Sequence, residues 1–460
     1  MNDRIRWCVI AALVFWAPVA AVGQSVGERL AAKTDAFEKK TRSVVGLSVV
    51  DLSTGKRVAA VRAEELFTPA SNMKILTSVV AMRRLGADHH FATTVYLAGQ
   101  DVVVVGGFDP LLGDPRVAAD DKKTIYTELD IWAAAIKRAS GGEVNDVIVL
   151  TDGSPKTYRH GDWPTNQFGR WYSAPVAAVN FNNNCLDVTF AADLTPRLSP
   201  ESRYFTVNNR LKSGSATWNL TFASADAAVT LTGTAQPSNT PQSIAVNDPP
   251  MLLARTLADR LVRAEVTVHG KPRTAAPADG PPLDQALRVA QTGTPLDLVL
   301  QRCNKNSLNM AAECMLLAVG DGTWEGSANA AGKVLVNDLG LAAKQFTIAD
   351  GSGYSKHNRV TPAALTTLLT AALSMKGSDA FLASLPVGGV DGTLAKRLGG
   401  ACKGRVLAKT GYIAGVSCLS GYVLDAQGKP AYAFSVLVNK TTDLTAARVF
   451  QDEVCAVLVK

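Results

Sequence analysis

Three short strings constrain this chain more than its length or composition does: Ser71-Asn72-Met73-Lys74, Ser307-Leu308-Asn309 and Lys409-Thr410-Gly411. About half of the 460 residues lie between the first string and the second. If all three serve one site, both ends of the chain must fold together and the segment between them must leave and return. The residue types fit acyl transfer. A serine hydroxyl is a weak nucleophile at neutral pH and needs a base within hydrogen-bond reach. On a helix, a lysine three positions on shares the serine's face.

The pattern around Ser71 predicts that helix. Phe67-Thr68-Pro69-Ala70 fits an extended lead. Met73, Ile75, Leu76, Val79, Val80, Met82 and Leu85 recur at helical spacing before Gly86, a plausible stop. Ser71 is thus expected at a helix N-terminus with Lys74 one turn inside. For Lys74 to act as base, burial and a neighbouring cation must depress its pKa. Taken singly, the strings read as a capped surface helix, a polar turn and a strand running into a turn. Their flanks, Phe67 to Thr77, Asn304 to Glu313 and Ala408 to Tyr412, carry the combined reading.

Composition bounds the class. With 47% hydrophobic and 19% charged residues the chain can build a globular core, and its length suggests two or three domains. Arg4 and Arg6 precede an apolar run from Cys8 to Val22, followed by small residues before Gln24, the pattern of a cleaved secretory signal over 1–23. The run is short for a membrane anchor, and no cysteine follows it to carry a lipid. Contact with a membrane is therefore at most peripheral. The net charge of +7 suits anionic envelope polymers, and no dense basic-aromatic patch suggests nucleic acid. Seven cysteines are present. Cys8 leaves with the signal, and Cys185, Cys303, Cys314, Cys402, Cys418 and Cys455 remain free to pair or to stay reduced in the core. Cys303 and Cys314 cannot bridge if one straight helix holds both, since it would separate them by about 16 Å.

Along the chain, Gln24–Thr41 reads as an amphipathic helix and Val44–Val50 with Arg57–Val61 as a hairpin. After the Ser71 helix come strands at Thr93–Leu97, Val102–Val105 and Val147–Leu150, with a helix at Thr127–Ala139. Short alternating strands follow at Leu186–Phe190, Tyr204–Val207, Trp218–Phe222 and Ala228–Thr232. Pro249–Ala264 reads as a helix, and the segment 274–282 as a linker. Helices at Pro295–Arg302 and Asn309–Val319 flank Ser307. Further helices fall at Thr361–Leu373 and Gly377–Leu385. The end reads as strands Arg405–Thr410, Val416–Leu424 and Tyr432–Asn439 and a helix Thr442–Leu458. The first hairpin and helix must meet the last three strands and helix to bury their faces, which one sheet with helices on both faces achieves.

At these strings the chain resembles the penicillin-recognising serine acyltransferases, and within them the low-molecular-mass class C penicillin-binding proteins. Val49-Val-Asp-Leu-Ser-Thr-Gly55, Gly106-Gly-Phe-Asp-Pro110, Tyr172-Ser-Ala-Pro-Val-Ala-Ala-Val-Asn180 and Asp350-Gly-Ser-Gly-Tyr-Ser355 extend the likeness. It spans nearly all of the chain after residue 25 and is weakest over about 195–240. The resemblance implies a multi-domain α/β chain. A transpeptidase/β-lactamase-like mixed sheet with helices on both faces would be built from 24–90 and 283–460. An inserted α/β and β-rich region would occupy 91–282, with a small β-rich subdomain at about 180–245.

It also implies roles. Ser71 attacks the carbonyl between two D-alanines and Lys74 takes its proton. Ser307 relays a proton to the leaving amine with help from Lys409, and Asn309 binds the substrate amide. Lys409 and Thr410 hold the terminal carboxylate. The N–H groups of Ser71 and Tyr412 form the oxyanion hole, and Gly411 allows close backbone approach to the ligand. Leu308, where many relatives carry a polar residue, is expected to point away from the chemistry. The activity implied is that of a D-alanyl-D-alanine carboxypeptidase, with endopeptidase action also within the family's range, on peptidoglycan stem peptides, outside the cytoplasm. β-Lactams would act as acylating inhibitors, with no metal or cofactor.

Two rivals remain at this level. A β-lactamase must deacylate fast with a placed water, and no further glutamate motif for that stands out. A penicillin-binding sensor or scaffold would acylate with the same residues without turnover. The histidines His89, His90, His160, His269 and His357 form no metal motif, and no Gly-x-Ser-x-Gly elbow occurs. Trp163 and Trp171 flank a polar turn, as core anchors or as a glycan contact. The Asp350–Ser355 string reads equally as a groove wall or as a structural turn.

Overall fold

The computed structural model describes residues 24–151, 157–223 and 227–459. The expected signal segment 1–23, with Cys8, lies outside them. Both ends of the chain meet in one five-stranded sheet in the order Val406–Ile413, Val416–Leu424, Pro430–Asn439, Val44–Asp51, Arg57–Val61. Every pairing in it is antiparallel. Parallel pairing occurs in other sheets of the chain.

Strand alternation sorts this sheet's residues between two cores. Val45, Leu47, Val49, Phe434, Val436 and Val438 face the helices Val26–Thr41 and Leu444–Leu458, where Phe37 stacks on Phe450 at 4.5 Å. The opposite face meets the helix Pro362–Ala372 and the turn Ala70–Asn72 that leads into the helix Met73–Leu85. There Gly46 admits Phe67 and Pro362, to which an added Cβ would come within 2.5 and 2.7 Å. Ser48 on this face bonds Thr366 at 2.9 Å.

The intervening chain builds a second five-stranded sheet in the order Pro272–Ala275, Val147–Leu150, Asp101–Gly106, His90–Ala98, Leu287–Pro295. The helices Thr127–Ser140 and Pro249–Arg263 cover one face of it through Leu129, Trp132, Ile136, Leu253 and Leu257. Two three-stranded sheets between residues 185 and 245 pack on each other around Leu186, Val188, Leu220, Val229 and Leu231. No described strand of this region joins the first sheet.

The return differs from the sequence-based boundary. Leu287–Pro295 pairs with His90–Ala98, with His90 opposite Pro295, so the chain leaves the inserted sheet only at Leu296 rather than at 283. This strand lies at a sheet edge and buries only one residue fully, with Leu287 57% accessible, so it carries no apolar alternation to mark it. All six described cysteines are free and buried, so no disulfide forms among them. No described helix is long and apolar enough to cross a membrane.

Candidate active site

Ser71 does not stand on a regular α-helix. Ala70–Asn72 form a single 3-10 turn that leads into the helix Met73–Leu85. Ala70 holds a left-handed φ of 46°, a strained value for a residue with a side chain. The turn is clamped from several sides. Asn439 bonds both the N–H and the carbonyl of Thr68, at 2.9 and 3.1 Å. Phe67 pairs with Val360 through backbone bonds in both directions. The Asn72 amide donates to the Lys409 carbonyl at 2.7 Å.

Lys74 is fully buried one turn inside. Its Nζ lies 3.1 Å from Ser71 Oγ, 2.7 Å from Asn309 Oδ1 and 2.9 Å from the Ser352 carbonyl. Burial holds the Lys74 pKa below that of a free lysine. Cys303, Glu313 and Asp350 oppose that shift. Desolvation is the largest cause of the depression, and the mutual repulsion of Lys74 and Lys409 acts in the same direction. Asn309 comes from the start of the helix Asn309–Val319, 235 residues from Lys74 in sequence, and donates its own amide to the Tyr172 carbonyl at 2.7 Å.

Ser307 sits where the helix Leu296–Lys305 ends. Leu308 N–H returns to the Arg302 carbonyl at 3.2 Å, and Ser307 takes the left-handed φ of 59° that such an ending requires. A side chain there costs about 1 kcal/mol relative to glycine. Its hydroxyl is thereby aimed at Lys409, whose Nζ donates to Ser307 Oγ at 3.0 Å and to the Thr410 carbonyl at 2.7 Å. Leu308 is buried in the main core, away from the cleft.

Two expectations shift in detail. Lys409 is fully buried behind Ser307 and does not line the cleft, whereas Thr410 does, with its hydroxyl donating to Thr393 Oγ1 at 2.8 Å. Burial, then repulsion from Lys74, holds the Lys409 pKa well below its ordinary value. Gly411 faces the nucleophile turn rather than open cleft. An added Cβ there would lie 2.8 Å from the Pro69 carbonyl and 3.2 Å from Asn72 N. Its missing side chain lets the strand approach Ser71. Tyr412 follows at the cleft edge, 55% exposed. Ala408 N–H points off the sheet edge to the Pro386 carbonyl, and by the strand's period of two Tyr412 N–H points the same way, toward the cleft.

The cleft measures about 840 Å³. Ser71, Ser307, Asn309, Thr410 and Tyr412 line one side. An arm of the inserted region, approaching from residue 157 to 173, lines the other. The arm is tied to the Asp350–Ser355 loop. Buried Trp163 donates its indole N–H to Asp350 at 2.9 Å, Tyr354 OH bonds Gln167 at 2.6 Å, and Asp162 accepts from Ser355 Oγ at 2.7 Å and meets His357 Nδ1 at 2.8 Å. Trp163 is thus a core anchor, while Trp171 is 47% exposed on the cleft wall. The loop is both wall and structural turn. Tyr354 lines the cleft, and Gly353, at φ 82°, would place a Cβ 1.8 Å from the Ala70 carbonyl. Sequence reasoning assigned no role to Tyr172, Asp162, Gln167, Thr393 or Glu313. Only Tyr172 and Glu313 stood in strings singled out there.

Chemically, the site offers a hydroxyl against a buried amine, a second hydroxyl against a second buried amine, and outward N–H groups on an edge strand. Residues 27–458 match the family described as the D-Ala-D-Ala carboxypeptidase 3 (S13) family. The chain is 31% identical over 436 residues to the D-alanyl-D-alanine carboxypeptidase of Actinomadura sp. (strain R39), covering 86% of this chain and 78% of that one. It is 24% identical over 424 residues to the D-alanyl-D-alanine carboxypeptidase DacB of Haemophilus influenzae, covering 86% and 85%. The crystal structure of penicillin binding protein 4 from Haemophilus influenzae shares the fold, with a TM-score of 0.77 at 22% identity over 93% of this chain and 99% of that one.

Proposed function

The chain belongs to the D-Ala-D-Ala carboxypeptidase 3 (S13) family, and we propose that it is a serine-type D-alanyl-D-alanine carboxypeptidase with Ser71 as its nucleophile. Neutral Lys74 takes the Ser71 proton as Oγ attacks the carbonyl carbon of the penultimate D-alanine. The N–H groups of Ser71 and Tyr412 receive the oxyanion, an effect worth about 3 kcal/mol per donor. The C–N bond then breaks. Ser307, whose hydroxyl lies 3.0 Å from Lys409 Nζ, relays to the leaving D-alanine nitrogen the proton that Lys74 took from Ser71. Water attacks the ester by the reverse path and frees Ser71. Asn309 holds the substrate amide, and Thr410 reads the terminal carboxylate.

The single observation that carries this reading is the environment of Lys74 Nζ. It has one partner for each of three directions, and the one that is a nucleophile is Ser71 Oγ at 3.1 Å. β-Lactams, which present a strained amide to the same serine, would acylate it. The inserted region, forming one wall without joining the catalytic sheet, supports a division into a discontinuous catalytic body and an inserted part. The N-terminal pattern supports export, with work on peptidoglycan outside the cytoplasm and no more than peripheral membrane contact. An open cleft also supports cutting of peptide cross-links, which mass spectrometry of digested cross-linked muropeptides tests. The decisive assay is release of D-alanine from a stem pentapeptide. Many equivalents per enzyme are expected, and none from Ser71→Ala. At most one equivalent from the wild type would leave a penicillin-binding sensor instead.

A further inference from the structure

Glu313 takes no part in the chemistry above, yet it is fully buried one helical turn inside Asn309. Its Oε2 accepts from Gly351 N–H at 2.7 Å and its Oε1 from Ser352 N–H at 2.9 Å. The carbonyl of that same Ser352 is one of the three partners of Lys74 Nζ. A neutral lysine carries two N–H bonds and one lone pair. If Asn309 Oδ1 and Ser352 O accept the two hydrogens, the remaining tetrahedral direction is that of Ser71 Oγ. One helix thus sets both acceptors, Asn309 directly and Glu313 through the loop.

We propose that Glu313 is a positioning residue for the general base: by gripping the Gly351 and Ser352 amides it fixes the Ser352 carbonyl that, with Asn309, turns the Lys74 lone pair onto Ser71. The inference rests on the Ser71–Lys74 reading. Holding the loop does not by itself call for a charge. The neighbouring amides of Ala349 and Asp350 are held by the neutral Asn358 side chain, at 2.9 and 3.3 Å. Burial, with the Asp350 charge beside it, pushes the Glu313 carboxyl above the ordinary carboxylate range, while the two amides and Lys74 favour its ionised form, and with both oxygens accepting N–H bonds neither is free to carry a proton. The other titratable groups around the pair are Cys303, Cys314 and Lys409. A carboxylate kept in such a place favours protonated Lys74, so it also sets the pH at which the base becomes available.

The test is the second-order rate of acylation by a fluorescent penicillin against pH, for wild type, Glu313→Gln and Glu313→Asp, with Tm for each. Peptide mapping of the wild-type adduct comes first. Absence of label on Ser71 there would defeat the functional reading itself, and everything resting on it. Gln offers an NH2 group where one amide needs an acceptor, and it removes the charge. Its rate plateau should fall about 100-fold, as for a small misplacement of a catalytic group, and its acidic limb should move to lower pH. Asp keeps the charge but is one methylene short. Its plateau should fall while its acidic limb stays. Should Gln not fold, Asp alone decides, with a lowered plateau at an unmoved limb as support and a wild-type rate against. Glu313→Gln within about twofold of wild type, or slowed only in proportion to lost folded protein with its limb unmoved, overturns the proposal.

Discussion

The Asn72 side chain joins the nucleophile turn to the strand that carries Lys409: its amide donates to the Lys409 carbonyl at 2.7 Å, and its oxygen accepts from Ser420 Oγ at 2.7 Å. The residues it ties lie 337 positions apart in sequence. Asn72 is fully buried, so no water replaces what it gives. Asn72→Ala should cost about 1–3 kcal/mol of stability by orphaning a buried acceptor. It should also lower kcat more than it raises KM, because the register between Ser71 and the strand loosens. Asn72→Asp sets an oxygen against the Lys409 carbonyl and should be no better. Denaturant unfolding and steady-state kinetics check both, and a stable, fully active Asn72→Ala would break the link.

Burial of Lys409 changes which residue should read the substrate's carboxylate. Thr410→Val should lose activity toward a peptide ending in a free carboxylate by about 10- to 100-fold, the worth of a hydrogen bond to a charged group, and much less toward the C-terminal amide. Lys409→Ala should lose by similar factors on both substrates, because Lys409 acts through Ser307. A larger Lys409→Ala loss on the free acid would mean that its charge reaches the carboxylate after all. The comparison is a double-mutant cycle with one partner on the ligand.

Gly353 should tolerate no side chain. Its φ of 82° and the Ala70 carbonyl 1.8 Å from an added Cβ both forbid one. Gly353→Ala should lose about 1–3 kcal/mol and slow acylation, since the loop must lift from the nucleophile turn. Gly399 has no positive φ and open space around its Cβ position. Gly399→Ala should stay within about 0.5 kcal/mol of wild type. Equal melting temperatures for the two variants would contradict the packing described.

Much of this architecture is legible in the sequence where an element must be buried. Val147–Leu150 is a continuous apolar run, Val416–Leu424 is mostly apolar and broken only by Ser417, Ser420 and Gly421, and in the helix Asn309–Val319 every buried residue but Glu313 is apolar, so the pattern alone marks them. Elements held by backbone bonds leave no such mark. The edge strand Leu287–Pro295 and the strand Ser238–Ala245, which contains Pro241, each bury only one residue fully, and the helix Trp324–Lys333 contains two glycines and is held by the Thr323 cap. At the site, the three strings stand out because acyl transfer needs those residue types at those spacings. Sequence does not say which way a lysine points, so the burial of Lys409 is invisible in it. Asp162, Gln167 and Tyr172 reach the site from an irregular arm through a bond or two each, and no period marks them.

The pH dependence follows from Lys74. The base form is neutral, and burial lowers the Lys74 pKa from the ordinary 10.5. Acylation should therefore rise with pH along a limb lying below the range in which a solvent lysine titrates. Stopped-flow acylation across pH locates it, and a limb at or above that range would mean that Lys74 is not the base, or that its burial is lost in solution.

The most direct test of the central claim is the site of penicillin attachment. Wild-type protein is incubated with a β-lactam, digested and mapped by mass spectrometry, alongside Ser71→Ala. One adduct, of one β-lactam mass, on the peptide bearing Ser71 and none in the variant is the expected result. An adduct on Ser307 or elsewhere, or labelling that survives Ser71→Ala, would contradict it.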